Sequence, residues 1–185
     1  QSSGGGSGEG GGGGSGEGGG GGGGQSTVTS SYGVKGTIDT SATTVAYDFA
    51  AAKSSCPAYS ESDKDVVKDV TISGASFKAV NCYNSENVNY WMFGSKKYAS
   101  HSWAASQTAV SGKIVGVRIV IPKGASGNTR FHFGFGTSAM NAAFLTGDAI
   151  KPTEGSQSSL SADVTLDIVP NEAGDFKYFN ITSEF

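Results

Sequence analysis

The sequence predicts an all-β fold: an antiparallel β-sandwich, jelly-roll-like, preceded by a Gly-rich flexible segment. β-Branched and aromatic residues dominate its apolar set, and its leucines are Leu145, Leu160 and Leu166. That bias suits pleated surfaces and not helical bundles. Apolar side chains also recur at every second position, as in Val45, Tyr47 and Phe49, or Phe131, Phe133 and Phe135. Such alternation marks half-buried strands. Turn-forming Gly, Pro, Asn and Ser clusters interrupt the chain at short intervals, which leaves no amphipathic helix of useful length.

Residues 1–24 are low complexity: Gly6-Ser-Gly-Glu-Gly10 returns as Gly14-Ser-Gly-Glu-Gly18, followed by unbroken glycine. Glycine loses more backbone entropy on ordering than any other residue, so this stretch is expected to be a tether. It lacks the Lys-Ser/Thr of a phosphate-binding loop and the strict spacing of collagen. The folded domain is then residues 25–185. Its expected strands cover 32–39, 43–49, 66–72, 76–82, 88–93, 98–103, 113–122, 129–136, 162–169 and 176–183. Residues 66–82 read as a hairpin about Ser73-Gly-Ala75. Residues 137–150 are ambiguous, with 140–145 either a helical turn or a bulged strand.

The stretch 111–136 reads as the central hairpin. Residues 113–122 are an almost continuous β-branched run stopped by Pro122, and a Gly/Ser/Asn loop leads into 129–136. There Phe131, Phe133 and Phe135 form one face, while Arg130, His132, Gly134 and Gly136 form the other. The phenylalanines supply core; the glycines leave room for another layer to approach closely.

The chain has 185 residues and a formal charge of -3. With only Arg118 and Arg130 as guanidinium forks, no basic field exists for nucleic acid. No apolar run approaches the ~20 residues needed to span a bilayer. Cys56 and Cys82 are the two cysteines. In an extracellular setting, which the composition suggests, they pair as a disulfide worth roughly 3 kcal/mol; in the cytosol they would be unrelated buried thiols. Gln1 ahead of a Ser/Gly tract reads as a processed end or an expression remnant. The last strand stops in mid-pattern at Phe185.

Tyr47-Asp-Phe49, a polar loop, a Val/Ile hairpin, Tyr90-Trp-Met-Phe93 and then residues 114–122 resemble jelly-roll domains of surface lipoproteins and secreted proteins of Bacteroidetes-type bacteria. The similarity is one of pattern over residues 25–185. It implies a cell-surface adhesin, a polysaccharide-binding protein or a structural subunit. Gln1 stands where such lipoproteins carry a lipidated cysteine.

Residues able to carry chemistry are few. His101 and His132 are the histidines; His132 reads more readily as a surface or inter-layer residue than as a base, and the Ser100 and Ser102 that flank His101 in sequence say nothing of a triad. No Gly-x-Ser-x-Gly elbow or His-Glu-x-x-His motif occurs, so the domain is expected to be no enzyme and to need no cofactor. Asp63 and Asp65, within Glu61-Ser-Asp-Lys-Asp65, are the candidate calcium ligands, because carboxylate loops of sandwiches can cage that ion. Lys64 interrupts the acids, and a solvated loop is the simpler reading.

Tyr83, Tyr90, Trp91, Tyr98 and Trp103 form the candidate ligand-binding band. On a strand, Tyr90 and Met92 face opposite to Trp91 and Phe93, so one pair must lie outside or under a loop. Exposed, such rings beside asparagines would stack on sugars; covered by sheets and loops, they are core. Asn180-Ile-Thr182 matches a glycosylation acceptor if the source is eukaryotic. The expected role is a non-catalytic extracellular structural or adhesive domain, a subunit of a cellular or phage surface filament that self-associates through sheet edges. The alternative is a carbohydrate-binding module with a glycan or cell-surface partner.

Overall fold

Alternating side chains become strands where a neighbouring strand can take their main-chain groups. The computed structural model describes residues 27–56, 63–84, 87–88, 90–93 and 100–184. The glycine-rich residues 1–24 lie outside them. The strands are β1 Ser30–Lys35, β2 Lys68–Ile72, β3 Ala75–Val80, β4 Ser102–Ser106, β5 Val117–Ile121, β6 Phe131–Gly136, β7 Val164–Pro170 and β8 Tyr178–Ser183. All pair antiparallel within one 8-stranded sheet in the order β2-β3-β4-β8-β6-β1-β7-β5. Among the described residues the one named helical element is a 3-10 turn, Lys53–Ser55, and Asp63 is the only other residue in helical conformation.

The β2–β3 hairpin forms where the turn residues place it. Ile72 lies opposite Ala75, and Ser73 and Gly74 between them have φ of 50° and 79°. A two-residue hairpin loop of this hand needs positive φ at both positions, which glycine adopts freely.

Residues 111–136 are not a hairpin. β5 pairs with β7 and forms a sheet margin, whereas β6 lies between β8 and β1. The loop between them bonds elsewhere: Gly124 N–H donates to Leu160 O, Leu160 N–H to Ala125 O, and Gly127 N–H to Gln157 O, all within 2.9 Å. Pairing with residues 157–160 carries the chain away before the strands can meet. β7 and β8, though consecutive in the chain, likewise each pair with other strands.

Residues 43–49, and the described residues of 88–93, are also not strands. In the first, Val45 is exposed while Tyr47 and Phe49 set their rings against Phe77. The main chain of Asp48 bonds to the Ser73 hydroxyl and not to a ladder. The second makes one isolated bridge, Tyr83 to Met92.

The core depends on how β1 is shared. Ser30 to Tyr32 pair with β6, and Gly33 to Lys35 pair with β7. The sheet thereby curls, and Leu166, Ile168 and Ile121 join Phe133, Phe135, Phe77, Phe179 and Ile181 in one buried cluster. Phe131, Phe133 and Phe135 share this inner side as the alternation requires.

On the outer side, residues 138–147 form an irregular strap over β4, β8 and β6, neither helical nor bulged strand. A Cβ on Gly134 would lie 2.7 Å from Phe144 Cγ and 2.8 Å from Met140 Cε. The strap is therefore the closely approaching layer that the glycine face allows. Gly134→Ala is expected to destabilise by about 1–3 kcal/mol through overpacking. A denaturant titration showing no loss would mean that the strap does not rest on this strand.

Candidate functional site

The outer side of the sheet gathers most of the polar chemistry. On β6 and β8, His132 sits opposite Thr182, and Gly134 opposite Asn180. Asn180 is fully buried; its Nδ2 donates to Ala142 O at 2.8 Å, and its Oδ1 accepts from the Thr182 hydroxyl at 2.6 Å. That hydroxyl in turn accepts the Phe144 N–H at 2.9 Å. Gln107 Nε2 donates to Met140 O. Side chains thus give an irregular segment the partners that a ladder would otherwise provide. The glycosylation-acceptor nitrogen of Asn180 is engaged inside the fold and does not face solvent.

His132 is buried, with Nε2 2.8 Å from Glu184 Oε1, while Arg130 lies 3.3 Å from the other carboxylate oxygen. Its Nδ1 is buried without a hydrogen-bond partner. Carboxylate, imidazole and a threonine hydroxyl on adjacent strands resemble a catalytic set only in composition. Nucleophilic catalysis needs the hydroxyl bonded to the base. Here Thr182 is bonded to Asn180 and Phe144 instead. His101 Nδ1 lies 3.3 Å from Ser183 O. A shallow hollow of about 230 Å³ lies away from both histidines, lined by Asp69, Val70, Thr71, Ser76, Phe77, Lys78 and Gln107.

The aromatic band divides. Trp91 enters the main core, donating from Nε1 to Ala52 O at 3.3 Å and meeting Phe49 edge to face at 5.2 Å. Trp103 is buried on the opposite side of the sheet, with Val80, Ala105 and Met140. Tyr83 and Tyr90 are half-buried, and Tyr98 lies outside the described residues. The two indoles do not form a common platform.

Of the candidate calcium ligands, Asp63 bonds Lys68 Nζ at 3.1 Å. Asp65 Oδ1 accepts from Asn81 Nδ2 at 2.8 Å. That amide, aided by Ser100 and Lys64, holds the Asp65 carboxyl below the usual carboxylate range. Asp65 also adopts φ of 62°, which fixes the turn into β2. The geometry reads as a pinned turn, and no grouping of three potential metal ligands occurs among the described residues. Glu61 lies outside them.

Cys56 and Cys82 are free thiols, both buried, so the expected disulfide is not formed in this structure. Their segments nevertheless touch, because Asn84 Nδ2 donates to Cys56 O at 2.8 Å and to Lys53 O at 3.0 Å. Burial pushes the Cys56 thiol up to about 12 and also raises that of Cys82 well above the ordinary thiol value, with Cys56 itself a secondary cause. Because the thiolate is the nucleophile, the reduced native protein is expected to resist iodoacetamide at pH 8 and react promptly once unfolded. Equal rates in both states would contradict this burial. The raised values also set a sign: stability present below pH 9, the ordinary thiol value, falls as pH climbs toward 12.

Among the described residues the sheet has two open margins. β2 and β5 each pair on one side only. β5 is the more apolar, and Val120 on it is 60% exposed. Sequence reading named edges in general but placed β5 at the centre; the exposed Val120 is legible only once β7 is known as its neighbour. No protein-family model, curated protein or solved structure matches this chain. No helix of the described residues is long and apolar enough to cross a membrane.

Proposed function

We propose that this chain is a non-catalytic extracellular structural or adhesive domain that associates through its sheet margins, as a subunit of a surface filament or appendage. The observation that carries this reading is the open β5 margin. It is a β-branched strand at the end of the sheet, with Val120 60% exposed and no strand beyond it among the described residues. Unpaired strand margins template further pairing unless charge, proline or a covering segment blocks them. Pro122 bounds this one without covering it.

Other features fit the same role. The sharing of β1 between two ladders supports a jelly-roll-like sandwich, since strands that change neighbours make the corners of such folds. A glycine tether at residues 1–24 would hold the domain away from a surface. The engaged Thr182 and buried His132 support a non-catalytic reading, and the neighbouring positions of Cys56 and Cys82 suit oxidative closure outside the cell. Concentration-dependent mass, measured by light scattering on the full chain, tests association. A mass that stays monomeric up to the solubility limit would overturn it.

A further inference from the structure

The direction of every outward main-chain group at the two margins follows from the ladders. Gly36 N–H donates to Asp167 O, so the peptide groups of Asp167 face β1. Groups alternate sides along a strand, and Val164, Leu166 and Ile168 therefore face β5, bonding Ile121, Ile119 and Val117. Arg118 and Val120 turn their N–H and C=O away from the sheet. At the other end Gln107 N–H donates to Ser76 O, so Ser76 faces β4. Ala75, Phe77 and Ala79 then face β2, and Asp69 and Thr71 point outward. None of these four residues makes a main-chain hydrogen bond on its outward side to another described residue.

We propose that copies of this chain add head to tail: β2 of one copy pairs antiparallel with β5 of the next, Asp69 opposite Arg118 and Val67 opposite Val120. This rests on the margin-association reading and names its partner, a second copy, and its register. Charge complementarity selects it. Asp69 is directly opposite Lys78 on β3, 2.6 Å away, and Arg118 is directly opposite Asp167 on β7, at 2.7 and 2.8 Å. In the proposed register the row across four strands reads Lys78, Asp69, Arg118, Asp167, alternating in sign throughout. Directly opposite residues share a sheet face, and all four of these lie on the outer one.

The apolar row agrees. Val67 is 47% exposed and Val120 60% exposed, and each covers the other in this register. The inner sides continue as well, because Val70 and Ile72 face the core on β2 as Ile121 does on β5. Pairing a margin with its own kind loses the match: about a two-fold axis, Arg118 meets Val120 or another Arg118, and Asp69 meets Thr71 or another Asp69. A head-to-tail contact leaves one margin free at each end, so it adds copies into open chains unless the rotation per copy closes a ring. One short strand pair buries far less than a standard interface of about 1,600 Å². Assembly is therefore weak in dilute solution and favoured by crowding on a surface.

Sedimentation velocity on the full chain tests this with Val67→Lys, Val120→Lys and their equimolar mixture. Wild type is expected to give a concentration-dependent series of oligomers. Each variant alone should stay monomeric, and the mixture should stop at a 1:1 dimer, since each copy then keeps one complementary margin. A single variant that dimerises by itself would overturn the head-to-tail register while leaving margin association standing. A wild type monomeric at every concentration would remove both. Amide exchange gives a reading independent of the variants. The N–H groups of Asp69, Thr71, Arg118 and Val120 should gain protection on assembly, whereas unchanged exchange in an assembled sample overturns the proposal.

Discussion

Phe77→Ala is expected to be the most damaging single truncation, lowering stability by about 3–5 kcal/mol. Phe77 is 1% exposed and meets Tyr47, Phe49 and Phe179 at ring distances of 5.2, 5.8 and 5.8 Å. Tyr47 and Phe49 belong to a segment without a ladder of its own, so these rings are much of what attaches it to the sheet. Truncation removes the buried area and leaves a cavity between elements that cannot all close in. The corresponding fall in melting temperature is about 10 °C or more for a domain of this size. A urea titration showing less than about 1 kcal/mol would mean that residues 47–49 do not pack where they are placed.

Asn180→Ala is expected to cost about 2–4 kcal/mol, a large effect for a polar residue. The substitution leaves Ala142 O without its donor and the Thr182 hydroxyl without its acceptor, both beneath the strap. Unsatisfied buried groups carry their desolvation cost in full, so the strap should loosen before the sheet does. Trp103 reports on this, being packed with Met140 of the strap. Its emission should shift to the red in Asn180→Ala under conditions where the strand content by circular dichroism is unchanged. Loss of strand signal with no earlier change at the indole would place the cost elsewhere.

The physical origin of each feature decides how much of it was legible. Alternation gave the faces of Phe131, Phe133 and Phe135 correctly, and the opposing glycines pointed to a second layer, which is the strap bearing Met140 and Phe144. Ser73-Gly74 announced its hairpin because a turn is local. Tyr47 and Phe49 also alternate with polar neighbours, yet their rings pack on Phe77 while the backbone stays outside the sheet. Periodicity reports which side chains are buried, and a docked coil can satisfy that as well as a strand. The site was harder to read. Trp91 and Trp103 are close in sequence but enter clusters on opposite sides of the sheet. Asn180 matched an acceptor motif whose meaning depends on exposure, and exposure depends on the strap.

The order of residues by itself determined that this chain forms pleated strands with an apolar side, and that it has neither a basic field nor an apolar run long enough to span a bilayer. Tertiary structure alone decided that β5 lies at a margin beside β7, that β1 is divided between two ladders, and that Asp69 and Arg118 mark opposite ends of one sheet. The reason is range. Side-chain alternation is fixed over two residues, whereas a strand's hydrogen-bonding neighbour is chosen among all strands by which arrangement closes the core.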